Sequence, residues 1–375
     1  MRIFCLVLLL FAAAHAMVPA RAQTSAPLVG LPYMKAEQVT VSGLSAGAYM
    51  AVQFQVAFSR TVKGAGIIAA GPYFCARGNV LTATTVCSCT NDIFPCQVAP
   101  HATRVRELIA VTDWFSALQA IDPTSAMAGH RIWMLSGTAD TVVPQVVVND
   151  LQSFYQHYVA PNRISYKRDL PVQHAMPTDN FGNACASLAS PFINNCGFDA
   201  AGELLKWIYG PLTARNTARP AGRFVVFNQA EFLDKPRMHG MAESGYLYVP
   251  PACDNARANG CRLHVVFHGC LQDLEEIGTT FVERAGYNAW ADSNKLMILY
   301  PQAASIGQYK NPNACWDWFA YDDLRYPQKG GRQMTAVKRM VDRLTGVPAS
   351  MTPTAPPAPP AAAPTPAKCR PGKCT

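Results

Sequence analysis

The chain has 375 residues, 50% of them hydrophobic, with 32 Lys and Arg against 24 Asp and Glu. That length buries a substantial core and accommodates one large α/β domain or two small ones. The mild positive excess is spread along the chain without a basic helix face or a stacked aromatic array. It excludes nucleic acid as an expected partner and leaves attraction to an anionic surface open.

The N-terminus carries Arg2, an apolar run from Ile3 to Ala14 and the small-residue site Ala20-Arg21-Ala22. This is the pattern of a secretory signal peptide, residues 1–22, cleaved before Gln23. The run is too short for a membrane span, and no other segment approaches ~18 uninterrupted apolar residues. A soluble, exported protein is expected, in the medium or the periplasm. Losing Arg2 and Arg21 takes the formal charge from +8 to +6. Of 13 cysteines, Cys5 leaves with the leader, and an even remainder in an exported chain favours disulfides. Cys185 with Cys196, Cys253 with Cys261, and Cys369 with Cys374 are spaced as local pairs. Cys75, Cys87, Cys89 and Cys96 allow three connectivities. Cys87-Ser88-Cys89 is weak as a zinc site, because no C-x-x-C spacing or histidine pair accompanies it. No metal and no cofactor is expected.

Gln38 to Ser42 reads as a strand, followed at once by Gly43-Leu44-Ser45-Ala46-Gly47 and a helix from Ala48 to Phe58. A G-x-S-x-G between strand and helix is a sharp turn that holds a serine hydroxyl clear of the sheet. The free N–H groups of the helix behind it face any developing negative charge. Gly64 to Ala70 is a second strand, Pro72 to Cys96 a loop, Thr103 to Leu118 an amphipathic helix. The apolar strand His130 to Leu135 runs into Gly137-Thr138-Ala139-Asp140, then helix Val146 to Tyr158, strand Arg163 to Asp169 and a loop with His174. Arg262 to Phe267 is a further strand ending in His268-Gly269-Cys270. A helical run around Glu275 to Asp292 precedes strand Leu296 to Tyr300, a polar loop with Cys315-Trp316-Asp317-Trp318-Phe319, and helix Gln333 to Leu344. Strands alternating with helices predict a mainly parallel central sheet with helices on both faces. Residues 347–375 form a Pro/Ala/Thr-rich tail of extended, unpacked composition ending in Cys369 to Cys374. Residues 23–346 form the catalytic domain.

A serine nucleophile needs a base, and the base needs a carboxylate. Asp140 and His174 follow successive strands, at the sheet edge where parallel α/β proteins build their sites. The order Ser45, Asp140, His174 is that of an α/β-hydrolase. His157 and Asp150 fall inside a helix and His239 follows no clear strand, which makes all three weaker candidates. In an ordinary α/β-hydrolase, several strands and a His-Gly oxyanion loop precede the serine turn. Here only one strand does, and the missing pieces occur late, as strand 262–267, His268-Gly269-Cys270, strand 296–300 and helix 333–344. Joining that helix to Gln38 restores the usual order, so the expected fold is a circularly permuted α/β-hydrolase.

With that turn early and that loop late, the chain resembles the extracellular polyhydroxyalkanoate (polyhydroxybutyrate) depolymerases with a permuted catalytic domain, over roughly Lys35 to Leu344. The resemblance implies Ser45 as nucleophile, Asp140 as acid and His174 as base. It also implies an oxyanion hole from the Ala46 and Cys270 N–H groups, and Trp316 or Trp318 lining a surface crevice for a hydrophobic polyester. Cys270 then serves through its backbone, leaving its side chain to pair, with Cys315 as the suggested partner. A Cys270 nucleophile is the rival reading, disfavoured because His268 and Cys270 flank a turn and export favours oxidation. Polymer depolymerases often carry a substrate-binding domain after a linker; here something like the linker is present and the sequence ends at Thr375. The expected protein is a monomeric serine esterase acting on poly(3-hydroxybutyrate). The alternatives are a feruloyl or acetylxylan-type carbohydrate esterase and a non-catalytic secreted binding protein.

Overall fold

The structure is a computed structural model describing residues 29–91, 96–254 and 260–347. The leader, most of the tail, and Cys369 with Cys374 lie outside the described residues. In chain order the first half comprises β1 (Val39–Leu44), α1 (Ala46–Ala57), β2 (Val62–Ile68), α2 (Val80–Thr85), α3 (Val105–Ala117), β3 (Arg131–Leu135), α4 (Gln145–Tyr158) and β4 (Ile164–Lys167). Three short strands follow, β5 (Met176–Thr178), β6 (Asn183–Ala184) and β7 (Ile193–Asn195), then α5 (Ala200–Tyr209), β8 (Arg223–Asn228) and β9 (Ser244–Val249). The last part holds β10 (Arg262–Phe267), α6 (Leu274–Ile277), α7 (Thr280–Arg284), α8 (Tyr287–Asn294), β11 (Leu296–Tyr300), α9 (Gly307–Lys310) and α10 (Arg332–Thr345).

The central sheet runs β4-β3-β2-β1-β10-β11-β9-β8. The six strands from β4 to β11 are parallel, and β9 and β8 close that side antiparallel. The late strand β10 therefore lies directly beside β1, with Gly43 opposite Phe267. This puts the turn after β1 and the turn after β10 at the same edge of the sheet.

Strand alternation sorts the two helical layers. Thr40, Ser42 and His264 face α5 and α8, where Thr40 bonds Tyr209 and Ser42 Oγ lies 2.8 Å from the Tyr287 hydroxyl. The opposite face carries α1, whose Phe54 ring lies 6.2 Å from that of Phe267. Beside α1 lies α10, with Lys338 over the Phe58 ring. Every residue of α1 is buried, which is why that run reads as apolar all round rather than amphipathic. Both ends of the domain meet: Met34 N and Ala36 N donate to Arg343 O and Leu344 O at 3.3 and 2.9 Å.

Two expectations about elements are corrected. The helical run around 275–292 is three short helices, interrupted at Gly278 and Gly286, whose φ values of 57° and 94° do not continue a helix. The loop 72–96 contains α2, capped by the Asn79 side chain on Thr82 N. Disulfides join Cys75–Cys87, Cys89–Cys96, Cys185–Cys196, Cys253–Cys261 and Cys270–Cys315. Among the described residues no helix is long and apolar enough to cross a membrane.

Candidate active site

Ser45 sits between β1 and α1 with φ 56° and ψ −126°, a conformation costing an L residue on the order of 1–3 kcal/mol. The surrounding backbone imposes it. Ser45 N donates to Ile68 O at 3.0 Å, and Ser45 O takes Tyr49 N at 2.9 Å to open the helix. The flanking glycines are required by close approach. A Cβ on Gly43 would lie 2.3 Å from Gly47 O, and one on Gly47 would lie 2.3 Å from both Phe267 O and His268 O. The second glycine thus lets the start of α1 rest against the turn after β10.

Asp140 follows β3. Its Oδ1 accepts Val142 N and Val143 N at 2.9 and 2.8 Å, and its Oδ2 faces His174 Nδ1 at 2.9 Å. Two backbone donors thus anchor one carboxylate oxygen and leave the other to the imidazole. With the proton on Nδ1, Nε2 is left as an acceptor. Both side chains are largely shielded, 1% exposed for Asp140 and 9% for His174. The neighbouring Gln173 holds the two loops together, its Oε1 accepting Thr141 N at 2.8 Å and His174 N at 2.9 Å.

On the other side of Ser45, the turn after β10 is anchored mostly by side chains. His268 is buried, and that burial pushes its imidazole down to about 4, a backbone hydrogen bond at Gly269 opposing the shift. The neutral ring accepts Ala303 N on Nε2 at 3.0 Å and donates from Nδ1 to Gly269 O at 2.7 Å. Holding the Gly269 carbonyl also orients the Cys270 N–H, since the two belong to one planar peptide. Leu271 N donates to Asn313 O at 2.8 Å, and the Cys270–Cys315 disulfide ties the turn to the loop after α9. Among the described residues neither Ala46 N nor Cys270 N has an acceptor in the protein. With Cys270 in a disulfide, a thiolate nucleophile there is not available.

The tryptophans divide. Trp316 is fully buried and donates from Nε1 to His268 O at 3.0 Å, packing edge-on against Phe267. The expectation that it lines a surface crevice is overturned, because its indole supports the turn after β10 from inside. Trp318 stacks on Tyr49, one helical turn beyond Ser45, with centroids 4.0 Å apart and planes 8° from parallel. It too is buried, 7% exposed, and among the described residues its Nε1 has no partner. The weaker candidates are engaged elsewhere: Asp150 with Thr103, and His239 with Asp322, while His157 lies in α4 with its ring against Tyr158. Gln173 and Gln272 were missed in the sequence, where single glutamines in loops carry no pattern.

No family model matches the chain. It is 41% identical over 337 residues to poly(3-hydroxybutyrate) depolymerase of Delftia acidovorans, covering 89% of this chain and 65% of that protein, so it spans less than two thirds of that relative. It is 37% identical over 336 residues to polyhydroxybutyrate depolymerase of Talaromyces funiculosus, covering 86% of this chain and 94% of that protein. The crystal structure of PHB depolymerase from Penicillium funiculosum superposes with a TM-score of 0.75 at 35% identity, over 85% of this chain and 99% of that chain. A serine-to-alanine PHB depolymerase complexed with an R3HB trimer superposes over the same shares with a TM-score of 0.74 at 35% identity. The chain belongs to the poly(3-hydroxybutyrate) depolymerase family.

Proposed function

We propose that this chain is an exported serine esterase that cleaves poly(3-hydroxybutyrate) through an acyl-enzyme. The observation that carries the reading is the shielded Asp140–His174 pair, 2.9 Å apart, at the sheet edge where Ser45 stands in its strained turn. Burial pushes the Tyr49 phenol well above its ordinary value, and the Asp140 charge adds to that shift. Ser45 Oγ attacks the ester carbonyl while His174 Nε2 takes its proton. Asp140 Oδ2 stabilises the resulting imidazolium through Nδ1–H. The carbonyl oxygen becomes an oxyanion between the Ala46 and Cys270 N–H groups, each contributing about 2.7–4 kcal/mol to the barrier reduction. Collapse expels the alkoxide of the next monomer, which leaves with the proton from His174. Water then enters, gives its proton to His174 and releases the acid in the mirror sequence. Trp318, stacked on Tyr49 and only slightly exposed, is the tryptophan left to meet the polymer.

The permuted chain order belongs to the same proposal. It is supported by the pairing of β1 with β10 and by the meeting of residues 34–36 with 343–344. Five disulfides among the described residues fit export to an oxidising compartment, with the chain acting as a monomer. The test is clearing of a poly(3-hydroxybutyrate) suspension, set against release of ferulate or acetate from decorated xylan. Clearing with release of hydroxyacid oligomers is the expected result. Clearing that persists in Ser45→Ala would sink the mechanism.

A further inference from the structure

We propose that Gln272 is a positioning residue that ties the turn offering the Cys270 N–H to the loop carrying His174, so that the two halves of the site keep one geometry. This rests on the reading above. Gln272 is buried, and its amide is used at both ends. Oε1 accepts Gly269 N at 2.8 Å, while Nε2 donates to Pro191 O and Phe192 O, both at 3.0 Å. The orientation of the amide is dictated by its partners. Flipped, it would set an oxygen against two carbonyls and an amino group against an N–H. Phe192 O also accepts Met176 N at 2.9 Å, and Met176 opens β5 two residues after His174. A single side chain therefore spans from the His268–Gly269 peptide, one before the peptide that carries the Cys270 N–H, to the carbonyl that holds the start of β5. Among the described residues no other hydrogen bond joins residues 268–273 to residues 172–198. The distance between the oxyanion donors and the base is thus set by Gln272 rather than by the sheet alone.

Gln272→Glu separates positioning from general support. Its ionised carboxylate still accepts Gly269 N but faces Pro191 O and Phe192 O without a proton. Its acid form regains one donor, enough for one of the two carbonyls, and keeps an acceptor for Gly269 N, a partial return to the pattern of the amide. The buried site and the negative charges of Asp273, Glu275 and Glu276 that follow it in the chain favour the acid form, and the neighbouring His268 stays neutral. With a soluble 3-hydroxybutyrate trimer as substrate, Gln272→Glu should lose at least tenfold in kcat on the alkaline side of the profile, where the carboxylate is ionised, with KM within twofold of wild type. That loss should shrink as pH falls and the new carboxyl protonates, turning a rising pH profile into a bell. Gln272→Leu should lose kcat at every pH. The idea is overturned if Gln272→Glu keeps the wild-type profile and kcat within twofold. It is equally overturned if both variants lose activity equally at every pH in step with a lowered melting temperature. Labelling by a serine-directed phosphonate keeps the two levels apart. A wild type that is not labelled at Ser45 removes the functional reading, whereas variants labelled at the wild-type rate remove only the role of Gln272.

Discussion

The two sides of the candidate site are built by different means. The Ser45 side is a backbone device: a strand, a strained turn and a helix in consecutive positions from Val39 to Ala57, with glycines where chains touch. The Cys270 side is a side-chain device, in which His268, Gln272, Trp316 and the disulfide to Cys315 hold a turn whose following helix, α6, is four residues long and starts only at Leu274. A backbone device tolerates side-chain exchange but not an added Cβ. A side-chain device fails one anchor at a time.

The comparison can be broken or sharpened by measurement. Removing the proposed nucleophile with Ser45→Ala should cost about a millionfold in kcat, with trimer binding retained by calorimetry. Residual turnover near wild type would mean that Ser45 is not the attacking group. Asp140→Asn should leave the fold intact and lower kcat roughly 10⁴-fold by presenting the wrong tautomer of His174, as read from single-turnover rates. Replacing Cys270 and Cys315 together by alanine opens a link spanning 45 residues and should lower stability by about 4 kcal/mol. Trimer turnover should fall about a hundredfold, as when an oxyanion donor is lost. Replacing Cys89 and Cys96 should lower the melting temperature while sparing kcat. If both pairs spare kcat, the disulfide is no part of the anchoring.

A smaller effect concerns pH. Burial lowers His130 and His268 to about 4 and His264 to about 3, from an ordinary value of 6.5. The unfolded chain binds these protons more tightly than the folded one. Their stabilising effect is therefore complete above pH 6.5 and is lost as pH falls toward 4, on the order of 3 kcal/mol per histidine. Melting temperatures followed across that window should drop steeply, and a flat profile would contradict the assignment. Smallest of all, Trp318→Ala should raise KM for the trimer about tenfold with kcat little changed.

The same contrast explains what could be read from the residues alone. β10 and β11 match their expected bounds, and β1, β3, α1 and α10 fall within two residues, because apolar runs and turn residues lie next to one another in the chain. Asp140 and His174 could be paired from the sequence because successive strand ends place them at one edge, and their side chains lie 2.9 Å apart. Trp316 was misjudged because polar neighbours such as Asn311 and Asp317 suggest exposure. In the structure Asn311 instead holds Cys315 through both its amide groups, and Asp317 collects the Tyr321 and Asp323 N–H groups, so the polar loop is folded inward. Gln272 was invisible because its partners, Gly269 and residues 191–192, become neighbours only when β10 docks beside β1. Long-range side-chain bridges leave no period in a sequence.

The meeting of residues 34–36 with 343–344 has a practical corollary. These residues precede β1 and follow α10, and Glu37 N bonds Cys261 O just before β10 begins, so α10 ends at the amino edge of the parallel strands, whereas Val29 pairs with Phe227 near the carboxyl end of β8. Ser45, Asp140 and Cys270 lie past the carboxyl edge. A link made directly after α10 therefore starts at the rear of the domain, whereas one made at Val29 starts at the outer strand β8, level with the mouth.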